Sequence, residues 1–393
     1  MKIADPIVVG GGIGGLTVAL SLARRGFNVT VMEQRTSLTE PGAGIQLSPN
    51  ASRVLVDLGL GRAVSRRAVE PDHLAVHKLG SGRRLAEMPL GRAMRSRYGA
   101  PYWVVLRADL HTVLLDAVRS APNIRLRIGK KVLQIDDGPE GTEVTIAGDR
   151  GQEVMRTGLV VGADGLWSTI RASIAPSAPR FRGYVAWRAT IPHGNVPAEF
   201  QANETRLWLG QDAHVVHYPV AAGKELNVVI VVAAKEPAGG WPASGEAAQL
   251  LHKLRGAAAP LRKLVEAAPE WRLWPLHDLD ALPRWCGRNT VLIGDAAHPV
   301  LPFLAQGGAL AIEDAATLTA ELARKDTTLP VALAAFEKAR KPRATRVQKA
   351  ARANGRIYHL PWPLALARDA ALRRMGPERF AARYEWLYGW QPG

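Results

Sequence analysis

The stretch that decides the fold is IVVGGGIGGLTVALSLARRGFNVTVMEQ, residues 7–34. An apolar strand runs into glycines, a helix rich in Ala and Leu continues to Gly26, and a second apolar strand ends at Glu33 and Gln34. Apolar runs separated by a helical pattern in this order predict a β-α-β unit. The fold class is therefore predicted to be α/β.

The glycines of this unit have the G-x-G-x-x-G spacing of a dinucleotide-binding turn. Gly10 permits a tight turn, Gly12 lets a pyrophosphate approach the backbone, and Gly15 lets the helix pack on the strand. The helix that begins near Ile13 presents free N–H groups and a positive dipole end to the phosphates. Glu33 can accept hydrogen bonds from ribose hydroxyls. This motif predicts a dinucleotide ligand but does not separate NAD from FAD.

Two later segments make that separation. Asp164 and Asp295 each follow an apolar strand, at the sheet edge where open α/β folds bind ligands. Gly307 and Gly308 then open a helix whose N-terminus can face the negative charge of a reduced flavin ring. We expect His298, in the turn after Asp295, to make a structural hydrogen bond. In combination with the first motif, these segments indicate FAD.

The sequence pattern changes between residues 181 and 274, where longer segments with the pattern of β-strands predominate. We predict a Rossmann-like, three-layer FAD-binding domain, an inserted α+β substrate domain and a C-terminal helical segment. The predicted bounds are 1–72, 98–180 and 275–335 for the first, 73–97 and 181–274 for the second, and 336–393 for the third.

Composition narrows the function classes. The single cysteine, Cys286, excludes an internal disulfide and a Cys-rich metal site, so a cytoplasmic location and no metal are expected. No run of apolar residues is long enough to predict a membrane span. The net charge is +16, and its densest run, residues 338–356, is expected to be a solvated helical face. Neither nucleic acid nor membrane is a predicted partner, and a homodimer is left open.

Nearly the whole chain, from about residue 6 to 390, resembles the single-component flavoprotein aromatic hydroxylases. It is most similar to the branch of salicylate hydroxylase, 3-hydroxybenzoate 6-hydroxylase and 6-hydroxynicotinate 3-monooxygenase. The resemblance implies an FAD enzyme that uses NADH or NADPH and O2 to hydroxylate a small phenolic carboxylate through a flavin C4a-hydroperoxide. It is carried by VVGGGIGG (8–15), GAGIQLSPNA (42–51), RYGAPYWVVLRADL (97–110), GADG (162–165), WPLHDL (274–279), GDAAHP (294–299) and LAQGGALAIEDA (304–315).

The resemblance also implies which residues bind the cofactor. Glu33 and Gln34 would bind the adenosine ribose side of FAD, Arg107 the ribityl-phosphate region and Asp295 the ribityl hydroxyls. Leu106 departs from the family pattern, in which His often precedes the Arg. The complete implied set is Gly10, Gly12, Ile13, Gly15, Glu33, Gln34, Gln46, Arg107, Asp164, Asp295, Gly307 and Gly308.

The remaining implied contacts concern the flavin ring and the electron donor. Backbone N–H groups of Gly307 and Gly308 would meet the ring, and a loop at 42–46 that includes Gln46 would lie beside it. Asp164 belongs to a motif that the family shares between FAD and NAD(P)H. Since no second G-x-G-x-x-G occurs, the nicotinamide cofactor is expected to bind transiently.

The substrate pocket is predicted from the strand QDAHVVHYPV, residues 211–220. Side chains alternate along a strand, so His214, Val216 and Tyr218 share one face and Val215 and His217 the other. His214 and Tyr218 would stand ~13 Å apart, with room for a ring between them. A His can accept a phenolic proton near neutral pH. Family members resemble this pattern, so His214 and Tyr218 are the implied catalytic residues.

Two positions bear on the choice of substrate. Gln46 stands where hydroxynicotinate monooxygenases resemble one another in carrying His. Pro302, an implied substrate contact, stands where 3-hydroxybenzoate 6-hydroxylases resemble one another in carrying Gln. The segment WPLHDLDALP (274–283) looks more like salicylate hydroxylases, so decarboxylative hydroxylation of salicylate is the first choice. The other two acids stay open as alternatives.

Two functions from other classes of protein stay open as alternatives. An NAD-dependent dehydrogenase explains the first glycine motif but not the GDAAHP segment, and a flavin absorbance spectrum would separate the two. A non-enzymatic anion-binding protein explains the charge but none of the motifs.

Overall fold

The computed structural model describes residues 5–38, 43–148, 151–235 and 243–392. Those residues form eighteen strands and thirteen helices. The strands are β1 (Ile7–Val9), β2 (Val29–Glu33), β3 (Gly44–Leu47), β4 (His73–Lys78), β5 (Arg84–Pro89), β6 (Trp103–Leu106), β7 (Ile124–Ile128), β8 (Val132–Gly138), β9 (Gly141–Gly148), β10 (Gly151–Thr157), β11 (Val160–Gly162), β12 (Arg180–Pro192), β13 (Thr205–Leu209), β14 (Ala213–Val220), β15 (Glu225–Ala233), β16 (Ala243–Gly245), β17 (Trp271–Asp278) and β18 (Thr290–Leu292). The helices are α1 (Ile13–Arg24), α2 (Pro49–Asp57), α3 (Gly61–Ser65), α4 (Gly91–Tyr98), α5 (Arg107–Ser120), α6 (Ile170–Ile174), α7 (Ala247–Lys253), α8 (Ala259–Glu266), α9 (Gly307–Leu322), α10 (Leu329–Tyr358), α11 (Leu364–Arg374), α12 (Pro377–Ala382) and α13 (Glu385–Tyr388).

A five-stranded parallel sheet has the order β18-β11-β1-β2-β7. Strands β1, β11 and β18 are buried along their whole length, as expected for a parallel sheet covered on its faces, whereas β7 at one edge carries Arg125 and Arg127. Helices α1, α5 and α9 pack with one another, and the antiparallel sheet β10-β9-β8 contributes Val144 and Ile146 to the same core. The carboxyl ends of β1, β11 and β18 therefore lie side by side, and each leads into one of the predicted motifs. The predicted Rossmann-like α/β class is confirmed.

A second, eight-stranded sheet has the order β16-β17-β12-β15-β14-β13-β4-β5 and is antiparallel except between β13 and β4. One face packs Val215, Val228 and Ile230 against α7 and α8. The other face carries Ala186 and Val231 and packs against Leu301 and Phe303, among others. Alternation along each strand thus gives the sheet one structural face and one that looks toward the first sheet.

The structure differs from expectation in two places. The predicted loop at 42–46 is a strand from Gly44 onward, because β3 pairs antiparallel with β6; residue 42 lies outside the described residues. The basic run at 338–356 is not simply a solvated face, since Arg340 is 1% exposed. A cation can be buried on a helix when carboxylates pair with it, and Glu313 and Asp314 pair with Arg340.

The predicted domain bounds stay a prediction. Most strands of the two sheets fall in the ranges expected for the two domains, but β17 crosses the predicted boundary between 274 and 275, and the proposed boundary at 336 falls inside α10. Within the described ranges, no helix is both long and apolar enough to cross a lipid bilayer.

Candidate active site

The glycine turn after β1 is tightly packed at Gly10 and Gly15 and open at Gly12. A Cβ on Gly10 would lie 2.4 Å from the carbonyl oxygen of Ala163, and one on Gly15 would lie 1.9 Å from that of Gly10. Gly10 also has φ +110°, which L side chains rarely adopt. A Cβ on Gly12, by contrast, would meet nothing within 4 Å. The turn thus leaves its backbone accessible on the side where α1 begins.

Glu33 is buried at the end of β2 and organises this turn. Its Oε2 accepts a hydrogen bond from the backbone N–H of Gly11 (2.8 Å), and its Oε1 accepts one from that of Arg35 (2.8 Å). His111 of α5 contacts the carbonyl oxygen of Gly11 through Nε2 (2.7 Å). A carboxylate has further lone pairs, so Glu33 can still accept from a ligand hydroxyl.

Asp164 lies at the end of β11 and caps the turn that leads into α6. Its carboxylate accepts hydrogen bonds from the Ser168 hydroxyl (2.6 Å) and from the backbone N–H groups of Thr169 (2.7 Å) and Ile170 (3.1 Å). Burial raises the pKa of Asp164, and these hydrogen bonds act in the opposite direction. The carboxylate is thus largely engaged by the protein, although the residue also lines the cleft described below.

Asp295 lies after β18, at the same edge of the sheet, and differs from Asp164. It is exposed to the cleft, and no described residue donates a hydrogen bond to it. The surrounding protein raises the pKa of its carboxyl by desolvation, whereas the positive charges of Arg107 and His298 oppose that shift. A Cβ on Gly307 would lie 3.9 Å from its Oδ1, so Asp295 stands beside the N-terminus of α9.

Helix α9 is held by an anchor network made of Glu313, Asp314, Arg340 and Arg343. Arg340 binds Glu313 through Nη1 (2.5 Å) and Asp314 through Nε (2.7 Å), and Arg343 binds Glu313 through Nε (2.7 Å). Burial raises the pKa of Asp314, but the charges of His298 and Arg340 outweigh it and lower the pKa to about 2.

His298 joins the anchor network through Nε2 (2.5 Å to Asp314), and Asp314 also accepts a hydrogen bond from the backbone N–H of Gly294 (2.9 Å). The structural hydrogen bond expected of His298 is present. The network therefore fixes the start of α9 against the turn that carries Asp295.

A single cleft joins most of these residues at the carboxyl edge of the parallel sheet. Of the predicted cofactor set, it brings together Gly10, Gly12, Ile13, Glu33, Gln34, Arg107, Asp164, Asp295, Gly307 and Gly308. Gly15 lies beneath it as packing, and Gln46 lies outside its lining, nearer the eight-stranded sheet. Cations at its rim are Arg35, Arg107, Lys130 and Lys131.

The cleft fits FAD on three observations. Its glycine turn is open where a pyrophosphate would approach, its cations match phosphate charge, and Asp295 is an acceptor to which no described residue donates a hydrogen bond. The N-terminus of α9, a helix of 16 residues, adds a positive dipole end at the same edge.

The substrate face is the side of the eight-stranded sheet that carries His214, Val216 and Tyr218, as the alternation of β14 predicts. His214 is buried, and its ring packs on the rings of Phe303 (centroids 5.4 Å apart) and Tyr358 (5.3 Å). Pro302 precedes Phe303 in the same turn, so it lies near this group of rings. His217 points the other way, where its Nε2 accepts a hydrogen bond from the Trp208 indole (3.1 Å).

Tyr218 lies at the other end of the substrate face, against β3. A Cβ on Gly44 would lie 2.6 Å from its Cε2, so glycine is required at this approach. The backbone N–H of Gly44 donates to Oδ1 of Asn227 (2.7 Å), and the Tyr102 hydroxyl donates to Oε1 of Gln46 (2.5 Å). Burial raises the pKa of Tyr218. Strand β3 therefore connects the cleft with the substrate face.

Arg188 of β12 is a residue that sequence reasoning missed. It pairs in register with Val229, which pairs with Val216, so all three share the substrate face. Its guanidinium lies 5.2 Å from the centroid of the Trp274 ring, and its buried Nε has no hydrogen-bond partner. No carboxylate among the described residues forms an ion pair with it. Burial lowers the pKa of this guanidinium.

Three other residues around His214 were also missed, namely Phe303, Tyr358 and His359. Phe303 adjoins the predicted Pro302, which was a usable signal. Tyr358 and His359 are 144 or more residues away along the chain, at the end of α10, and no local pattern marks them. Arg188 could have been found by the alternation of β12, which places it on the same face as Ala186.

Comparison with known proteins shows the family of this chain. A family model described as "FAD binding domain" matches residues 4–351. The chain is 35% identical over 387 residues to a 3-hydroxybenzoate 6-hydroxylase of Polaromonas naphthalenivorans (98% of this chain, 96% of the relative). It is 36% identical over 386 residues to a 3-amino-4-hydroxybenzoate 2-monooxygenase of Streptomyces platensis (98% and 95%).

Among solved structures, Klebsiella pneumoniae HpxO complexed with FAD and uric acid superposes with a TM-score of 0.85 at 26% identity, covering 97% of this chain and 95% of that one. The glycine turn, the acceptor at Asp295 and the full-length similarity lead to one conclusion. The chain belongs to the family of FAD-dependent aromatic-ring monooxygenases.

Proposed function

We propose that this enzyme hydroxylates a small aromatic carboxylate that it binds through Arg188 and deprotonates through His214. The observation that carries the proposal is Arg188, a cation on the substrate face that pairs with no carboxylate among the described residues. Arg188 is half-buried with a buried, unpaired Nε, an arrangement that is costly without an anion, and a planar carboxylate is the anion that the fork of guanidinium donors matches. An aromatic acid supplies both that anion and a flat ring for the apolar surface of Val216 and Val229.

The proposed base is His214, and its surroundings support that role. Burial lowers the pKa of His214 well below 6.5, and the neighbouring His359 acts in the same direction. The ring is therefore neutral at neutral pH and can accept a phenolic proton. Removing that proton makes the ring electron-rich at the positions to be hydroxylated. Tyr218, at the far end of the same strand, would bound the ring on its other side.

The cofactor set is part of the proposal. Glu33 and Gln34 would hold the adenosine ribose, the turn at Gly10, Gly12 and Ile13 the pyrophosphate, and Arg107 and Asp295 the ribityl-phosphate portion. Backbone N–H groups of Gly307 and Gly308, with Gln46 and Asp164 nearby, would adjoin the ring side. Bound FAD supplies electron transfer from NADH or NADPH and the activation of O2.

The register of β12, β15 and β14 bears on which hydroxybenzoate is the substrate. Arg188 lies two strands away from β14, ~10 Å across the sheet, so a carboxylate at Arg188 and a hydroxyl at His214 approach from well-separated points. A hydroxyl and a carboxylate on non-adjacent ring carbons suit that separation better than the adjacent pair of salicylate. Both relatives named above act, by their names, on acids of the non-adjacent kind. We therefore place 3- or 4-hydroxybenzoates ahead of salicylate.

The experiment is a substrate panel with matched variants. Product, NADH loss and hydrogen peroxide are measured with 2-, 3- and 4-hydroxybenzoate and 6-hydroxynicotinate. Arg188→Met should raise KM for the accepted acid by about 10- to 100-fold, the size of a charge-assisted hydrogen-bond pair. It should leave the KM of the matching hydroxybenzyl alcohol, a neutral ring, unchanged.

Arg272→Met is the matched control, because Arg272 is the neighbour of Arg188 on β17 but binds Glu270 at the surface. Equal losses for acid and alcohol, or for both variants, would remove Arg188 from the site. Catechol with CO2 as the main product would instead support salicylate, the first choice from sequence.

A further inference from the structure

The ring of His214 has a partner that lies outside its own sheet. Its Nδ1 is 3.0 Å from Nε2 of His359, the residue that follows the end of α10. His359 stacks on the ring of Tyr184, with centroids 5.1 Å apart and planes 23° from parallel. Tyr184 belongs to β12, so the two histidine rings are held together by elements that converge from three parts of the chain.

The remaining nitrogen of His359 decides where the protons lie. Its Nδ1 is buried without a hydrogen-bond partner of good geometry. His359 is the C-cap residue of α10, where the last carbonyl groups of the helix lack intrahelical partners and form the negative end of the helix dipole, so an N–H is favoured there; the Gly355 carbonyl, one turn earlier, correspondingly raises the pKa of this ring. A carbonyl oxygen can only accept, so the proton of a neutral His359 belongs on Nδ1. Nε2 then carries the lone pair and accepts a hydrogen bond from Nδ1–H of His214.

The rings of His214 and His359 are both neutral at neutral pH. Burial is the main cause that lowers the pKa of His359, to about 4, and Arg368 of α11 lowers it further while Asp212 raises it. Arg368 is itself engaged by Asp369 (2.7 Å), and the hydroxyl groups of Tyr184 and Tyr358 add no charge. Two neutral rings have one proton between the two nitrogens in contact. Because the proton of His359 is on its Nδ1, the shared proton belongs on Nδ1 of His214.

We propose that His359 is a positioning residue that holds His214 in the tautomer with its proton on Nδ1 and its lone pair on Nε2. The proposal rests on the proposed role of His214 as the base. In that step the O–H bond of the substrate breaks, an Nε2–H bond forms, and His214 becomes an imidazolium that still donates through Nδ1 to His359. The opposite tautomer would present an N–H to the phenol and could not accept its proton.

The test compares three variants of the FAD-loaded enzyme. His359→Gln keeps a side-chain oxygen that can accept from His214, His359→Phe keeps a ring on Tyr184 but no acceptor, and Tyr184→Phe keeps the stack as a control. ¹⁵N NMR of histidine-labelled protein, assigned with His214→Ala, reports which nitrogen of His214 is protonated without any substrate. His359→Phe should lose about 10- to 100-fold in kcat/KM, as outer-shell partners of a His do.

The expected result is an Nδ1–H tautomer of His214 in wild type, Tyr184→Phe and His359→Gln, and a mixed or reversed tautomer in His359→Phe. An unchanged tautomer in His359→Phe overturns the proposal. A preserved tautomer in His359→Gln with activity as low as in His359→Phe also overturns it, because His359 would then act by carrying a proton. If the tautomer changes as expected but no panel acid is hydroxylated, the proposed function fails and the positioning role stands.

Discussion

The anchor network and the substrate face both keep charged or polar groups away from water, but they satisfy them differently. In the anchor network, Arg340 meets two carboxylates and each carboxylate meets several donors. On the substrate face, the buried Nε of Arg188 has no hydrogen-bond partner among the described residues. Buried polar groups are paired in nearly all proteins, so the unpaired ones need a separate explanation. Charges that the fold completes by itself hold the cofactor edge in place, and we propose that the incomplete one, at Arg188, marks where the substrate binds.

Breaking the anchor network should give the largest effect. Asp314→Ala removes one carboxylate from the fully buried Arg340, and removing one member of a buried ion pair costs about 3–5 kcal/mol. The free energy of unfolding is measured by urea titration with saturating FAD. Asp280→Ala is the control, because this carboxylate pairs with Arg180, Arg182 and Arg352 but is 56% exposed, and surface pairs contribute about 0–1 kcal/mol. Similar losses in the two variants would contradict the distinction between buried and exposed pairs.

Replacing Asp295 should weaken FAD binding without changing the free energy of unfolding. Asp295 has no hydrogen-bond donor among the described residues, and desolvation already disfavours its charge. Asp295→Ala is therefore expected to leave the stability of the FAD-free protein unchanged within about 0.5 kcal/mol. Its Kd for FAD should rise by about 10- to 100-fold, the value of hydrogen bonds to a charged group. Flavin fluorescence gives the Kd and urea titration the stability; a destabilised protein with unaltered FAD affinity would reverse the assignment.

The third expected effect is that of acid on the stability of the fold. Burial lowers the pKa of both His214 and His217 well below 6.5, while the unfolded chain titrates near 6.5. Below that pH the unfolded state binds protons that the folded state does not, so stability present above pH 6.5 is lost as the pH falls. The slope approaches about 1.4 kcal/mol per pH unit for each such His.

His217→Gln, which keeps an acceptor for Trp208, should remove one proton from that slope without changing catalysis. The free energy of unfolding between pH of about 7 and about 5 measures it. An unchanged slope would show that His217 does not contribute.

The cofactor cleft was largely predictable from sequence because its parts are local. Each strand end, turn and glycine-opened helix is encoded within a short segment, and the topology of a parallel sheet brings their carboxyl ends together. The strand character of Gly44–Leu47 was not predictable in the same way, because it depends on pairing with β6 far along the chain. The engagement of Asp164 by its own turn was also missed, although Ser168 and Thr169 were visible beside it.

The substrate face was predictable only in part. Strand alternation placed His214, Val216 and Tyr218 on one face, but it says nothing about what the facing elements contribute. Arg188 comes from another strand, and His359 from the end of a helix whose basic composition suggested a surface. Contacts between sequence-distant elements depend on packing and not on local pattern, so no motif announces them.

Helix α10 carries Arg340, in the anchor network, and ends 18 residues later at Tyr358, next to His359. A helix rises about 1.5 Å per residue and turns roughly 100° with each, so these two points are joined by a rod ~27 Å long with a fixed rotation between its ends. Substitutions on the exposed side of this rod leave that relation intact. One inserted or deleted residue would turn His359 away from His214 while Arg340 stayed in place. The number of residues between the two contacts is therefore constrained more tightly than their identity, and length variation in homologous enzymes should fall before or after this interval.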